Sequence, residues 1–249
     1  MQINYCCPFW GSEKDKPEVF VDKMLSAGYE GIEIFLPPAT DNFYAIFIEE
    51  IEEVKGKNPT FIFIAQQLTA PGNDTVEQYI SRMEKSLFEL AAYQPSIINS
   101  HTGEDYFSFD DNCKVIESAL NISAKIGVRI LHETHCGRFS FHAASLVPYL
   151  KKFQEMELAG DFSHFCIVSE SLLQDKEDII KQIIPHVSHI HTRVGHEQSP
   201  QVNDLFAPEW KNHFTLFEGW WQQIIRHKKE KDLKKLPSRR SLDLHLTCH

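Results

Sequence analysis

The sequence lacks any apolar run close to the roughly 20 residues that a membrane-spanning helix needs. Its first residues, Met-Gln-Ile-Asn-Tyr, also lack the basic segment and the apolar segment of a secretory signal peptide. We therefore expect a cytoplasmic protein that has no membrane partner.

Paired cysteines are lacking as well. None of the six cysteines forms a Cys-x-x-Cys pair, and Cys6 and Cys7 are adjacent. This spacing excludes a zinc ribbon and a disulfide framework, and it favours reduced thiols.

Positive charge is scarce, since the net charge is −10 and the basic residues cluster only within 227–240. Binding to nucleic acid needs a basic face, so we expect no nucleic-acid partner. A small neutral or anionic metabolite fits this composition better.

The pattern that is present is an alternation of short apolar runs with longer helical ones. The 249 residues match one (β/α)₈ barrel or two small domains. No linker or shift in composition divides the chain, and seven strand–helix units of roughly 30 residues favour a parallel sheet. The predicted strands are Ile3–Cys7, Gly31–Leu36, Phe61–Ala65, Ser96–His101, Val128–Glu133, Met156–Asp161 and Val187–Thr192. The predicted helices are Pro17–Ala27, Asp41–Val54, Thr75–Tyr93, Asp110–Gly127, Phe141–Phe153, Lys176–Ile184 and Trp220–Lys229, and residues 194–216 are predicted to form a long polar loop.

Polar clusters follow three consecutive apolar strands of this pattern. Glu133 ends one strand, Asp161 ends the next, and His191 lies near the end of the third. Because the carboxyl ends of parallel strands meet at one mouth of a barrel, these groups are expected to converge. Two carboxylates and an imidazole suit Mn²⁺, Mg²⁺, Co²⁺ or Zn²⁺, so we predict a divalent-metal site formed by these three residues.

Further polar residues are candidates for substrate binding at the same mouth. His135 shares a strand face with Glu133, and Arg193 directly follows the histidine strand, where it serves either as a clamp for a hydroxyl or phosphate or as a surface ion pair. His164 is interpreted as a substrate or outer ligand, or else as a cap of the following helix. Two other candidates end earlier strands: Glu33 and His101.

These residues carry a resemblance to a known group of proteins. The sequence resembles the sugar phosphate isomerase/epimerase group with a xylose isomerase-like barrel, which includes ketose 3-epimerases, inosose dehydratases and endonuclease IV. The matching pieces extend over the chain to about residue 231, and they are Gly31-Ile32-Glu33, Glu133, Asp161-x-x-His164 and His189-x-His191.

The resemblance implies roles for these positions. It implies that Glu133, Asp161 and His191 bind the metal together with a glutamate from strand eight. It also implies that Glu133 is catalytic, acting with that strand-eight glutamate as an acid/base pair on an enediolate intermediate. The expected substrate is a small sugar, polyol or sugar phosphate.

The end of the chain departs from the group. Residues 232–249 are basic, read as neither strand nor helix, and provide no strand-eight glutamate. Codons for residues 238–244 can be chosen so that another reading frame encodes Thr-Pro-Glu-Phe-Gly-Pro. Our hypothesis is that a frameshift near Lys231 replaced strand eight, leaving a barrel over residues 1–231 that is incomplete at strand eight and an aberrant tail over 232–249. We then expect unpaired edges on the first and seventh strands, reduced stability and little epimerase turnover.

The sequence also allows other functions. The missing glutamate allows a non-catalytic carbohydrate-binding barrel, and enediolate chemistry also serves a metal-dependent lyase or dehydratase. A phosphodiesterase similar to endonuclease IV is a further alternative, although the net charge of −10 argues against it. An open barrel edge would favour a homo-oligomer.

Overall fold

The computed structural model describes residues 2–36, 42–70, 72–233 and 244–248. Eight strands pair in chain order, all in parallel, and close into a barrel. The strands are β1 (Ile3–Pro8), β2 (Gly31–Phe35), β3 (Ile62–Leu68), β4 (Ile97–His101), β5 (Arg129–Glu133), β6 (Leu158–Gly160), β7 (Val187–Thr192) and β8 (Leu244–Cys248). The (β/α)₈ barrel class predicted from the sequence is confirmed.

Helices alternate with these strands. They are α1 (Pro17–Ser26), α2 (Asn42–Lys57), α3 (Val76–Ala91), α4 (Phe109–Ile126), α5 (Ala143–Lys152), α6 (Ser163–Ser169), α7 (Glu177–Ile183) and α8 (Lys211–Leu233). Short 3₁₀ segments at Ile184–His186 and Pro208–Trp210 precede β7 and α8. Within the ranges given above, no helix is long and apolar enough to cross a membrane.

Local sequence explains where several helices begin and end. Thr75 and Gln78 form a reciprocal capping box that satisfies free N–H groups at the start of α3. Gly127 ends α4 with φ of +70°, in the left-handed region that glycine adopts at low cost. The start of α2 was predicted at Asp41, which lies outside the described residues.

One apolar cluster fills the inside of the barrel below its carboxyl-terminal mouth. Its members are buried side chains from neighbouring strands, namely Cys6, Ile62, Ile64, Ile97, Leu131 and Ala159. Two larger apolar clusters fill the space between the strands and the surrounding helices. Because side chains alternate along a strand, the residue two positions after each inner apolar residue also points into the barrel, nearer its carboxyl-terminal mouth.

Two helices differ from the sequence prediction. Helix α6 was not predicted, because its seven residues are too few for a clear helical period. Helix α8 begins nine residues before the predicted start at Trp220, so the predicted loop 194–216 is helical from Pro208 onward. Phe214, Phe217 and Trp221 lie at spacings of three and four residues, which is the signal that this helix begins earlier.

The end of the chain requires a correction. Residues 244–248 form β8, with Leu244 paired to Ile3 and Thr247 paired to both Cys6 and His191. The expectation of unpaired edges on β1 and β7 is therefore wrong, and the apolar–polar alternation of residues 244–247 explains the strand. Strand eight is therefore present, but it lacks the expected carboxylate. In the described chain, no helix follows it on the outside of the barrel. Residues 234–243 of the tail lie outside the described residues.

Candidate active site

The polar layer of the barrel lies directly above the apolar one. Glu133 follows Leu131 by two positions, and Asp161 follows Ala159 in the same way. Both carboxylates are buried, with exposures of 3% and 0%. Because burial of a charged group without partners is costly, each carboxylate must be matched by charged or hydrogen-bonding neighbours.

The three predicted metal ligands come together in this layer. His191 Nδ1 lies 3.6 Å from Glu133 Oε1 and 3.5 Å from Asp161 Oδ2. Glu133 and Asp161 also belong with His164 to a group whose ligand atoms all lie within 4.8 Å of one another. The arrangement offers oxygen and nitrogen donors in one place, and metal binding by this set stays a prediction.

Glu33 was predicted to contact the substrate, but it lies deeper in the barrel than the substrate cavity. Its carboxylate accepts hydrogen bonds from Asn99 Nδ2 at 2.8 Å and from Thr247 Oγ1. His189 Nε2 lies 2.9 Å from Oε2, and His191 Nε2 lies 3.1 Å from Oε1. Glu33 is fully buried and is absent from the walls of the cavity described below, so its contacts place it behind His191.

An open cavity of about 300 Å³ lies over the carboxylates. Six of its lining residues were predicted to bind substrate or metal: His101, Glu133, His135, Asp161, His191 and Arg193. The complete set of lining residues is Trp10, Phe35, Gln66, His101, Glu133, His135, Asp161, His191 and Arg193. A cavity of this size and mixed lining suits a small polar molecule.

Three imidazoles form a row along one side of this site. The ring centroids of His101 and His135 are 4.3 Å apart, and those of His135 and His164 are 3.9 Å apart. His101 Nε2 lies 2.9 Å from Glu133 Oε2. The helix-cap alternative for His164 is wrong, because its Nε2 accepts from Arg193 and its Nδ1 has no hydrogen-bond partner within the described residues.

Arg193 is held by the same cluster. Its guanidinium donates to Asp161 Oδ2 and, at 2.9 Å, to His164 Nε2. The plain surface ion pair considered for Arg193 is therefore wrong, because Asp161 is fully buried. Ser163 completes the surroundings of Asp161 by donating its backbone N–H to Oδ1 at 3.1 Å.

Sequence reasoning missed several residues of the site. Gln66 and Asn99 each donate to Glu133 Oε2, Asn99 at 2.7 Å and Gln66 at 3.5 Å. The available signal was their spacing, since Gln66 follows Ile64 by two positions and Asn99 precedes His101 by two. Trp10 and Phe35 also line the cavity, and no pattern in the sequence distinguishes them from core aromatics.

The electrostatics keep the carboxylates ionised. Burial acts to raise the pKa of Glu133, but His101 and His191 lower it far below its ordinary range. The pKa of Asp161 is likewise well below its ordinary value, because Arg193 and His164 outweigh burial. Burial also opposes protonation of His191, but Glu33 and Glu133 raise its pKa well above the ordinary value. Burial lowers the pKa of His135 to about 4, with help from His101 and His164.

Comparisons with known proteins identify the fold. The sequence matches no protein-family model and no curated protein. Its structure is similar to that of the probable 3-DHS dehydratase AsbF from Bacillus anthracis, at 18% identity with a TM-score of 0.63, covering 99% of this chain and 92% of that one. Endonuclease IV from Thermus thermophilus matches at 15% identity and a TM-score of 0.57, covering 99% and 92%. A D-tagatose 3-epimerase-like protein matches at 11% identity and 0.61, covering 98% and 89%. The fold is thus the xylose isomerase-like TIM barrel predicted from the sequence.

Two similar structures contain a metal ion. A xylose isomerase-like TIM barrel protein from Mycobacterium smegmatis is in complex with magnesium, at 11% identity and a TM-score of 0.61, covering 98% of this chain and 89% of that one. The IolI protein contains zinc, at 11% identity and 0.52, covering 90% and 97%. In this chain, four groups of histidine, cysteine and carboxylate side chains are close enough to hold an ion within the described ranges.

Proposed function

We propose that this protein is a divalent-metal-dependent isomerase or epimerase that acts on a small sugar, polyol or sugar phosphate. The observation that carries the proposal is the convergence of Glu133, Asp161 and His191 under one small cavity. Support comes also from the fold, which is shared with an epimerase-like protein and a dehydratase. The cytoplasm is the compartment we propose, because the cysteines lack the pairing pattern of secreted proteins and those within the described residues are free thiols.

The donor set fits a divalent ion. Two carboxylates and one imidazole nitrogen suit Mg²⁺, Mn²⁺, Co²⁺ or Zn²⁺, and Glu133, Asp161 and His191 would hold the ion in this chain. When bound, such an ion polarises a carbonyl oxygen of the substrate and stabilises negative charge on it.

Glu133 is the residue that we assign as the catalytic base. Its carboxylate is ionised, lines the cavity and is fixed on one side because Oε2 accepts from Asn99 and faces His101 Nε2. Oε1 is then the oxygen turned toward His191 and available to take the proton next to the substrate carbonyl. Removal of that proton gives the enediolate, from which the proton can return at either carbon.

The other predicted substrate residues have distinct tasks in this scheme. His101 and His135 form a wall of the cavity, and Arg193 contributes the guanidinium that can donate to substrate hydroxyl or phosphate oxygens. His164 acts by positioning Arg193, because its Nε2 accepts a hydrogen bond from the guanidinium. Glu33 acts by holding His191, from behind the cavity.

The expected second base is absent from β8. Thr247 pairs with His191 in the strand register, and its hydroxyl is committed to Glu33. Asp161, the other cavity carboxylate, is bound to Arg193. An epimerase needs bases on both faces of the substrate carbon, so a single base is expected to exchange the proton without inverting the centre.

The experiment is to follow solvent deuterium entering a panel of ketoses, free and phosphorylated, by nuclear magnetic resonance with Mn²⁺ or Mg²⁺ present. We expect exchange next to the carbonyl with slow or undetectable epimerisation, and loss of exchange by about 100-fold or more in Glu133→Gln. Substantial inversion by the 249-residue chain would contradict the single-base scheme. Absence of exchange with every ketose would contradict the isomerase proposal.

A non-catalytic carbohydrate-binding barrel is the second candidate, and the missing carboxylate on β8 favours it. Under this alternative, sugars bind in the cavity but show no proton exchange. Binding measured by calorimetry on the same ketose panel, set beside the exchange data, distinguishes the two functions.

A further inference from the structure

A cysteine lies beside two of the histidines at the edge of the candidate active site. One ligand atom each of His135, Cys136 and His164 all lie within 4.8 Å of one another. His135 lines the cavity, whereas Cys136 is half-buried and does not line it. The sequence patterns did not assign any role to this thiol, and the proposed isomerase chemistry does not use it.

The segment that holds the thiol is anchored on its carboxyl-terminal side. The backbone N–H of Arg138 donates to the carbonyl of His135 at 3.3 Å, closing a tight turn around Cys136 and Gly137. The guanidinium of Arg138 is buried against Glu104 at 2.9 Å. Gly137 has φ of +76°, a conformation that costs glycine little. The turn is therefore built into the core rather than loosely placed on the surface.

The two imidazoles can provide nitrogen donors. His135 Nδ1 lies 2.6 Å from the carbonyl oxygen of Cys136, so it carries the proton and leaves the lone pair on Nε2. His164 is 4% exposed, its Nε2 accepts from Arg193, and its Nδ1 has no hydrogen-bond partner within the described residues. An unpartnered nitrogen in so buried a ring is uncommon, and it marks a place where a ligand can be accommodated.

Spacing in the cluster is close to that of a metal site. One ligand atom from each of the three side chains lies within 4.8 Å of the other two. Around a tetrahedral Zn²⁺, sulfur and nitrogen ligands lie about 3.5 Å apart, given bonds of about 2.3 and 2.0 Å. Small side-chain rotations therefore suffice to bring the three donors onto one ion, and a water molecule can take the fourth position.

We propose that His135, Cys136 and His164 form a second metal site, selective for thiophilic divalent ions such as Zn²⁺. It is separate from the oxygen-rich set of Glu133, Asp161 and His191, because thiolate and imidazole favour softer ions and carboxylates favour harder ones. Binding releases the thiol proton to solvent as the sulfur takes up the metal. An ion held here engages His135, which lines the cavity, so the site is inhibitory for whatever occupies the cavity.

The test is titration of the purified chain with Co²⁺, followed by absorption spectroscopy. Ligation by a thiolate produces a sulfur-to-metal charge-transfer band, whereas ligation by carboxylate and imidazole alone does not. We expect the band in the wild-type protein, its loss in Cys136→Ser, and its retention in Cys7→Ser, which removes another half-buried thiol. Zn²⁺ added afterwards is expected to abolish the band by displacement.

Two outcomes would overturn the proposal. One is a wild-type protein without the band at saturating Co²⁺, and the other is a Cys136→Ser protein that keeps it. Glu133→Gln is expected to retain the band, because that carboxylate is not a ligand of the proposed site, and loss of the band there would contradict two separate sites. Because this absorption measurement needs no substrate, it tests the second metal site independently of the isomerase proposal.

Discussion

His191 Nε2 lies 3.1 Å from Glu33 Oε1, and this contact turns the other ring nitrogen toward the active-site carboxylates. Nδ1 then lies 3.5 Å from Asp161 and 3.6 Å from Glu133. A carboxylate behind a ligating histidine fixes the ring orientation and raises the basicity of the ligand. Glu33 is thus placed to support a metal ligand.

Glu33→Gln is expected to weaken Mn²⁺ binding about 10- to 100-fold, because the amide cannot hold the imidazole as the carboxylate does. Isothermal titration calorimetry measures the change, with circular dichroism confirming the fold. Glu104→Gln is the matched control, since it neutralises a buried carboxylate that is paired with Arg138 instead of His191. Equal affinities in Glu33→Gln and the wild type would contradict a supporting role for Glu33.

The buried ion pair between Arg138 and Glu104 is expected to matter for stability. Both side chains are almost fully buried, and burial is the main cause that raises the pKa of Glu104. Arg138→Met leaves Glu104 without its partner, and we expect the free energy of unfolding to fall by about 3–5 kcal/mol in denaturant titrations. Arg129→Met breaks the exposed pair with Glu157 and is expected to cost about 1 kcal/mol or less. Similar losses in the two variants would contradict this interpretation.

His132 is expected to make stability depend on pH. It is fully buried, its Nδ1 lies 2.7 Å from Thr102 Oγ1, and burial lowers its pKa to about 4. Between pH 6.5 and 4 the unfolded chain binds a proton at this histidine and the folded chain does not, so the stability that it contributes is lost as pH falls through this range. The total is roughly 3 kcal/mol.

His132→Gln should flatten that dependence. The quantity to compare is the fall in unfolding free energy from pH 6.5 to pH 4, measured for the variant and the wild type. Parallel curves would show that His132 does not titrate in this way.

The frameshift hypothesis predicts that repair of the tail increases the metal content of the protein. Replacing residues 232–249 by the alternative frame would put a glutamate on strand eight. We expect metal content near one ion per chain in the repaired protein and less in the 249-residue chain, by elemental analysis. Metal absent from both forms would argue for the non-catalytic barrel, and an uninterrupted reading frame in the source DNA would argue against the hypothesis.

Much of the barrel could be predicted because strands and helices leave different periods in the sequence. The seven strands from β1 to β7 follow apolar runs, as a sheet buried on both faces requires. β8 escaped prediction because residues 232–249 are basic and its apolar positions are few. Helix α6 was not predicted, because its seven residues are too few to show the helical spacing of apolar residues.

The site was predictable where polar residues end apolar strands, as with Glu133 and Asp161. How deeply each polar side chain lies in the barrel could not be predicted. The sequence indicates which residues share a strand face, but it does not indicate how far each side chain reaches. Glu33 was placed against substrate, yet its partners are Asn99, Thr247 and two histidines from distant strands. Those contacts depend on the radius and stagger of the closed barrel, which local patterns do not encode.

The pairing of Ile3 with Leu244 ties the first strand to the last. During synthesis, β1 leaves the ribosome long before the strand that completes its hydrogen bonds exists. One edge of β1 must therefore stay without its final neighbour until nearly the whole chain has been made, while domains otherwise fold as their segments emerge. Contacts so distant in sequence form slowly, so ring closure is expected to be the slow step of folding and the interval in which aggregation competes with it.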